Sequence, residues 1–152
     1  MKSRNAFTMI ELTFVIVILG ILAAIAIPRL SATRDDAKNV KLAQNVMIGA
    51  GEIASYAVAK GETENNLSDM SNAIMSMIRS GDAMEDSSNR VVNVMRGDIS
   101  NCIEISINTN GDDENLTVGF GNAGGDLGCL RLQELIDVNV YPMVLKGAKI
   151  VQ

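Results

Sequence analysis

Phe7-Thr8-Met9-Ile10-Glu11-Leu12 opens a run of 21 residues, Phe7 to Ile27, in which Glu11 is the only charged side chain. As a helix rising about 1.5 Å per residue the run measures roughly 31 Å, the thickness of a bilayer's hydrocarbon core. An ionisable side chain inside such a span is expensive, so Glu11 calls for a cationic partner. A cut before Phe7 would create one, because the new α-amino group is positively charged near neutral pH. The same group on a neighbouring subunit could approach the Glu11 carboxylate where little water screens the pair. Lys2 and Arg4 precede the run. The positive-inside tendency keeps them cytoplasmic, so everything beyond Ile27 faces outward.

Two plainer readings compete. An ordinary secretory signal also has a basic start, an apolar stretch and a small-x-small cleavage site, here Ala24-Ile25-Ala26. Against it, Glu11 would interrupt the front of the apolar region and Pro28 would lie just after the cut. A plain membrane anchor leaves Glu11 without a role. An acid near the end of a span can, however, reach toward headgroups at less than the roughly 2.5–3.5 kcal/mol quoted for the bilayer centre.

The start of the chain resembles the type IV pilins and the pseudopilins of type II secretion systems. The resemblance rests on a short basic leader, Met1-Lys2-Ser3-Arg4-Asn5-Ala6, a small residue before the cut, an aromatic Phe7 after it, and Glu11 at the fifth mature position. Pro28 stands where members of that family end or kink the first helical stretch. The resemblance implies that a prepilin peptidase cleaves between Ala6 and Phe7 and methylates Phe7 to N-methylphenylalanine. It also implies a subunit that assembles through Glu11. Ala6 departs from the family's usual Gly, and the resemblance covers only the first quarter to third of the chain.

Composition fits an anchored, exported chain with one outward-facing domain. The chain has 13 basic and 18 acidic residues, and loss of Lys2 and Arg4 leaves 11 against 18, a net charge of −7. Non-specific phosphate binding needs clustered cations, and Arg131, Lys146 and Lys149 are sparse, so no direct nucleic-acid ligand is expected. The aromatics Phe7, Phe14, Tyr56, Phe120 and Tyr141 are too few for stacking-based recognition of sugars or single strands. Cys102 and Cys129 are the only cysteines. In an oxidising compartment a bridge between them would stabilise the fold by about 3–4 kcal/mol in the chain-entropy model. The alternative is two buried thiols.

Beyond Pro28 the pattern stays helical to about Lys60. Leu30, Thr33, Ala37, Val40, Ala43, Met47, Ala50, Ala54 and Ala57 recur at three- and four-residue steps, with Arg34, Asp35, Lys38, Lys41, Gln44, Asn45 and Glu52 elsewhere. Pro28 removes a donor and crowds the Ala24 carbonyl, so a kink or loosening is expected there. Gly61 and the polar run to Asn66 end the helix. Leu67, Met70, Ile74, Met77 and Ile78 mark a second, short helix closed by Gly81. Residues 91–95, 102–107 and 116–120 read as strands, 130–136 as a short helix, and 138–145 and 148–151 as further extended segments, with Pro142 at an edge or bulge. The expected fold is α+β: a long N-terminal helix, membrane-spanning in its first half, packed on a small antiparallel sheet, as in type IV pilins. The expected division is a leader over 1–6, an assembly helix over 7–27 and an outward-facing domain over 28–152.

Parts for catalysis are thin. The chain has no histidine, and no nucleophile stands beside a general base, so an enzyme is not expected. Gly119-Phe120-Gly121-Asn122-Ala123-Gly124 spells G-x-G-x-x-G, but no long helix follows and a βαβ unit will not fit. Asn108 to Asn115 is oxygen-rich and reads either as a calcium loop of unusual spacing or as a solvated hairpin turn. Neither a cofactor nor a metal is expected. The expected function is a structural filament subunit, of a pilus or a periplasmic pseudopilus. Its partners would be copies of itself, related subunits, the prepilin peptidase and the inner-membrane assembly machinery. It would reside in the bacterial inner membrane as a single-pass protein before assembly, and in a periplasmic or extracellular filament afterwards. The alternative is a periplasmic binding domain, tethered or secreted, that does not assemble.

Overall fold

The computed structural model describes residues 8–146. Lys2, Arg4, Ala6, Phe7 and the extended segment expected over 148–151 lie outside the described residues. A single helix, α1, occupies Met9–Lys60, and the chain divides into two compact units, Met1–Ala37 and Lys38–Gln152.

In the first unit every described residue is exposed. By length and composition α1 carries an apolar stretch able to cross a membrane, and none of that stretch is buried. Helical structure continues unbroken through Pro28. The expected end of the helix is also observed: Gly61, at φ 75°, follows Lys60 in the left-handed conformation, and its amide donates to the Ala57 carbonyl at 2.8 Å.

The second unit is a five-stranded antiparallel sheet in chain order, β1 to β5, with helices packed against it. The strands are β1 Ala83–Asp86, β2 Val91–Arg96, β3 Ile99–Asn110, β4 Asp113–Phe120 and β5 Met143–Lys146. Alternation places Val92 and Val94 of β2, Ile103, Ile105 and Ile107 of β3, and Leu116 and Val118 of β4 in the core. Leu42, Val46, Ala50, Ile53 and Ala57 of α1 complete that core with Leu67, Ile74 and Met77. The β3–β4 hairpin pairs Asn110 with Asp113 around Gly111-Asp112, Gly111 supplying the positive φ of 67° that a tight turn needs. Asn108 to Asn115 is therefore a hairpin in register.

Four sequence expectations need correction. The buried stripe of α1 runs through Asn39, Leu42, Ala43, Val46, Gly49, Ala50, Ile53 and Ala57; it shares Ala43, Ala50 and Ala57 with the expected one, but Val40 and Met47 are exposed. The larger Leu42, Val46 and Ile53 claim the core, and Gly49 allows α1 to approach Ile74 closely. Secondly, the short helix is two helices, α2 Leu67–Met70 and α3 Asn72–Arg79, because Ser71 is extended. The Ser71 hydroxyl accepts from the Ile74 amide at 3.1 Å and donates to Glu52 at 2.6 Å, capping α3 instead of continuing α2. Thirdly, β1 is an additional edge strand, whose Ala-Met-Glu-Asp sequence lacks β-branched alternation. Fourthly, residues 138–145 begin as a 3-10 turn, Val138–Val140, which Asp137 caps by accepting from the Asn139 amide, and only then enter β5. Helix α4 occupies Leu127–Glu134.

Candidate functional site

At the head of α1, Thr8 and Glu11 satisfy one another. The Thr8 amide donates to Glu11 Oε2 at 2.8 Å and the Thr8 hydroxyl to the same oxygen at 2.7 Å. The Glu11 amide donates back to the Thr8 hydroxyl at 3.3 Å. This is a reciprocal capping box, which fills donors that the first turn of a helix otherwise leaves open. Its sequence signal, Thr at the cap with Glu three residues on, lies in Thr8-Met9-Ile10-Glu11. Thr8 is thus a site residue that the apolar reading of this run passes over. The carboxylate has a local role in the intact chain, and it also adds negative charge to the positive end of the helix dipole.

The remaining expected residues are dispersed. Pro28 sits within the exposed part of α1, and the bond between Ala6 and Phe7 lies outside the described residues. Cys102 and Cys129 are joined as a disulfide with a Cα separation of 5.7 Å, both wholly buried. That bridge ties β3 to α4. The Cys102 and Gly121 carbonyls both accept from Gln133 Nε2 at 3.0 Å, so the glycine-rich segment forms a tight return from β4 toward α4. Among the described residues no group of three or more His, Cys, Asp or Glu side chains is placed to hold a metal.

Two polar contacts fix the second unit. Arg96 Nε donates to Asn39 Oδ1 with both residues buried, joining α1 to the end of β2. Arg90, at φ 55°, reaches the hairpin and the loop after α1. Its guanidinium donates to Glu114 at 2.9 Å, to Thr109 at 3.2 Å, to the Glu64 carbonyl at 3.2 Å and to the Thr63 hydroxyl. Thr63 also donates to Glu114. Burial opposes ionisation of Glu114, but the Thr63 hydrogen bond and the Arg90 charge outweigh it and hold the carboxyl below its ordinary range.

Residues 1–27 match the prokaryotic N-terminal methylation motif family, the signature of type IV pilins and pseudopilins. No curated protein and no solved structure matches the chain.

Proposed function

We propose that the chain is a structural subunit of a type IV pilus-like filament or a type II secretion pseudopilus. The observation that carries this reading is the methylation motif over residues 1–27, joined through one helix to a sheet-packed domain. The mature subunit would wait in the inner membrane after cleavage between Ala6 and Phe7 and methylation of Phe7. Assembly machinery would then draw it into a helical bundle, with the Phe7 amine of one subunit against Glu11 of another. Pro28 has no amide hydrogen to offer the Ala24 carbonyl, so α1 would loosen there during extraction. The role is mechanical, and a chain without histidine suits it. The Cys102–Cys129 loop near the carboxyl end favours a pilus over a pseudopilus.

Mass spectrometry of the N-terminus, on protein from native membranes and from material sheared off the cell surface, tests the proposal. Methylated Phe7 is expected, and its presence in the sheared fraction would mark a surface filament. A start at Met1 would indicate a plain anchor, and one at Ile27 a secreted domain; either overturns the assembly reading.

A further inference from the structure

We infer that Asn66, in the loop between α1 and α2, accepts an N-linked oligosaccharide. Asn66-Leu67-Ser68 has the Asn-x-Ser spacing of an N-glycosylation acceptor, with no proline inside it. Asn115-Leu116-Thr117 is the only other such triplet in the chain. Each has an acid two residues before the asparagine, Glu64 in the first and Asp113 in the second. Acidic residues are 18 of 152, so chance alone would put one at that place in about one triplet in eight. Both triplets carry it, which extends the motif to five residues. The acid adds a charge by which a bacterial oligosaccharyltransferase can grip its acceptor, alongside the hydroxyl.

The fold favours Asn66 over Asn115. Asn66 ends the polar loop after Gly61, and although it precedes α2 its side chain makes no capping bond. Its Nδ2 donates to Asp69 Oδ2 at 2.9 Å in an exposed contact, and Glu62 and Asn65 beside it are exposed as well. Leu67, the middle residue of the triplet, is wholly buried, so an enzyme must draw residues 64–68 away from the domain. That releases a single helical turn, Leu67–Met70, the bonds of Ser68 to Glu85 and the contacts of Glu64 with Tyr56 and Arg90. One short turn beside a surface loop opens at low free energy. Asn115 instead lies within β4, paired with Asn108 of β3 and Val144 of β5, and presenting it means opening the sheet. Asn66 is therefore open to transfer both as the chain emerges and after it has folded, whereas Asn115 is open only before its strands pair.

The donor is a sugar chain carried on a polyprenyl pyrophosphate, and a membrane oligosaccharyltransferase supplies the catalysis. Asn66 Nδ2 attacks the anomeric carbon of the first sugar. The nitrogen–carbon bond forms as the bond from that carbon to the pyrophosphate oxygen breaks, one Nδ2 proton passes to a base of the transferase, and polyprenyl pyrophosphate leaves. No oxidation or reduction is involved. A side-chain amide nitrogen carries two hydrogens, so the modified Asn66 keeps one, and its bond to Asp69 can re-form when α2 closes. The sugar then stands over the exposed loop and adds bulk and solubility at the surface without entering the core.

The inference rests on the outward-facing domain of the proposed filament subunit, and one preparation keeps the two readings apart. The full chain is taken from native membranes, cut with trypsin and read by mass spectrometry. Cleavage after Lys60, Arg79, Arg96 and Arg131 leaves the two asparagines on different peptides, 61–79 and 97–131. The expected result is a peptide 61–79 that carries the mass of a sugar chain and becomes bare in Asn66→Gln and in Ser68→Ala. An unfolded Ser68→Ala chain would still present Asn66, so its bare peptide reports loss of the hydroxyl and not misfolding. Sugar on Asn66 supports the inference whether or not Asn115 is also modified. A bare peptide 61–79 in the unaltered chain, sugar on Asn115 alone, or a modification that survives either substitution would each overturn it. Methylated Phe7 with a bare Asn66 would leave the filament reading standing, and a glycosylated Asn66 on a chain that retains Met1 would do the reverse.

Discussion

Both donors of Thr8 converge on one oxygen of Glu11, while the Glu11 amide returns a bond to the Thr8 hydroxyl. Thr8→Val keeps the side-chain shape but removes the hydroxyl. It should weaken the first turn of α1 by about 1 kcal/mol, whereas Thr8→Ser should be close to neutral. Amide exchange at residues 9–12, measured on the full chain in micelles, should accelerate about fivefold in Thr8→Val and little in Thr8→Ser. Equal exchange in both variants would mean that the cap does not hold the turn.

Charge and capping at Glu11 can be separated. Glu11→Gln keeps an oxygen acceptor for Thr8 and removes the carboxylate, while Glu11→Ala removes both. If the Phe7 amine is the partner during assembly, both variants should be processed to a methylated Phe7 and neither should appear in the sheared filament fraction. Normal filaments from Glu11→Gln would leave the acid with only its capping role.

The Arg90–Glu114 pair has a definite pH dependence. Both side chains are 15% exposed, and the folded-state pKa of Glu114 is lowered. Its stabilising contribution is therefore complete above the ordinary carboxylate range, and is lost as pH falls below that range through the folded value. Arg90→Met should cost roughly 1.5–3 kcal/mol at pH 7. Denaturant unfolding in a double-mutant cycle with Glu114→Gln should show the coupling shrink toward zero across a window that opens at the ordinary carboxylate range and extends below it. A coupling that stays constant over that window would assign it to packing.

Gly121 is fixed by contact and not by turn conformation. A Cβ there would run into the Asn101 backbone carbonyl, while the Gly121 amide donates to the Cys102 carbonyl at 3.1 Å. At Gly49 a Cβ would instead meet the Ile74 side chain, at 2.9 Å. Overpacking typically costs about 1–3 kcal/mol. Gly49→Ala should fall in that range, and Gly121→Ala should exceed it because backbone cannot yield as a side-chain end can. Their unfolding midpoints give the order directly.

Cys102 and Cys129 are wholly buried, so mild reductant should leave the bridge intact in the folded protein and cleave it once the chain unfolds. Cys102→Ser with Cys129→Ser should lower stability by about 2–4 kcal/mol, read from denaturant unfolding. Rapid reduction under native conditions would contradict the burial.

The parts of the fold legible in the sequence are those with a strong local period. The end of α1 at Lys60 is marked by Gly61, the runs that become β2, β3 and β4 are strand-like, and β3 alternates through Ile103, Ile105 and Ile107. The course of the α1 stripe was not legible, because Asn39 reads as a surface residue until Arg96 supplies its partner across the core. Gly49 likewise reads as a weak helix former until Ile74 is seen against it. Ser71 breaks a helical pattern through a capping bond that also involves Glu52, 19 residues earlier. At the head of α1 Glu11 stands out by its charge, whereas Thr8 is hidden in a run whose hydropathy dominates. The cysteine pairing needed no geometry, since only one pair exists.

Each strand of the sheet hydrogen-bonds to its neighbour in sequence, with consequences for the order in which the domain forms. From β1 to β4 such a meander closes short loops one after another, and local contacts of this kind favour fast folding. If the chain is delivered outward behind its anchor, as proposed above, β1 can zip to β2, then β3, then β4, before the residues of α4 have emerged. Cys102 is then already seated in β3 when Cys129 arrives, so oxidation locks a sheet that exists instead of guiding one that does not.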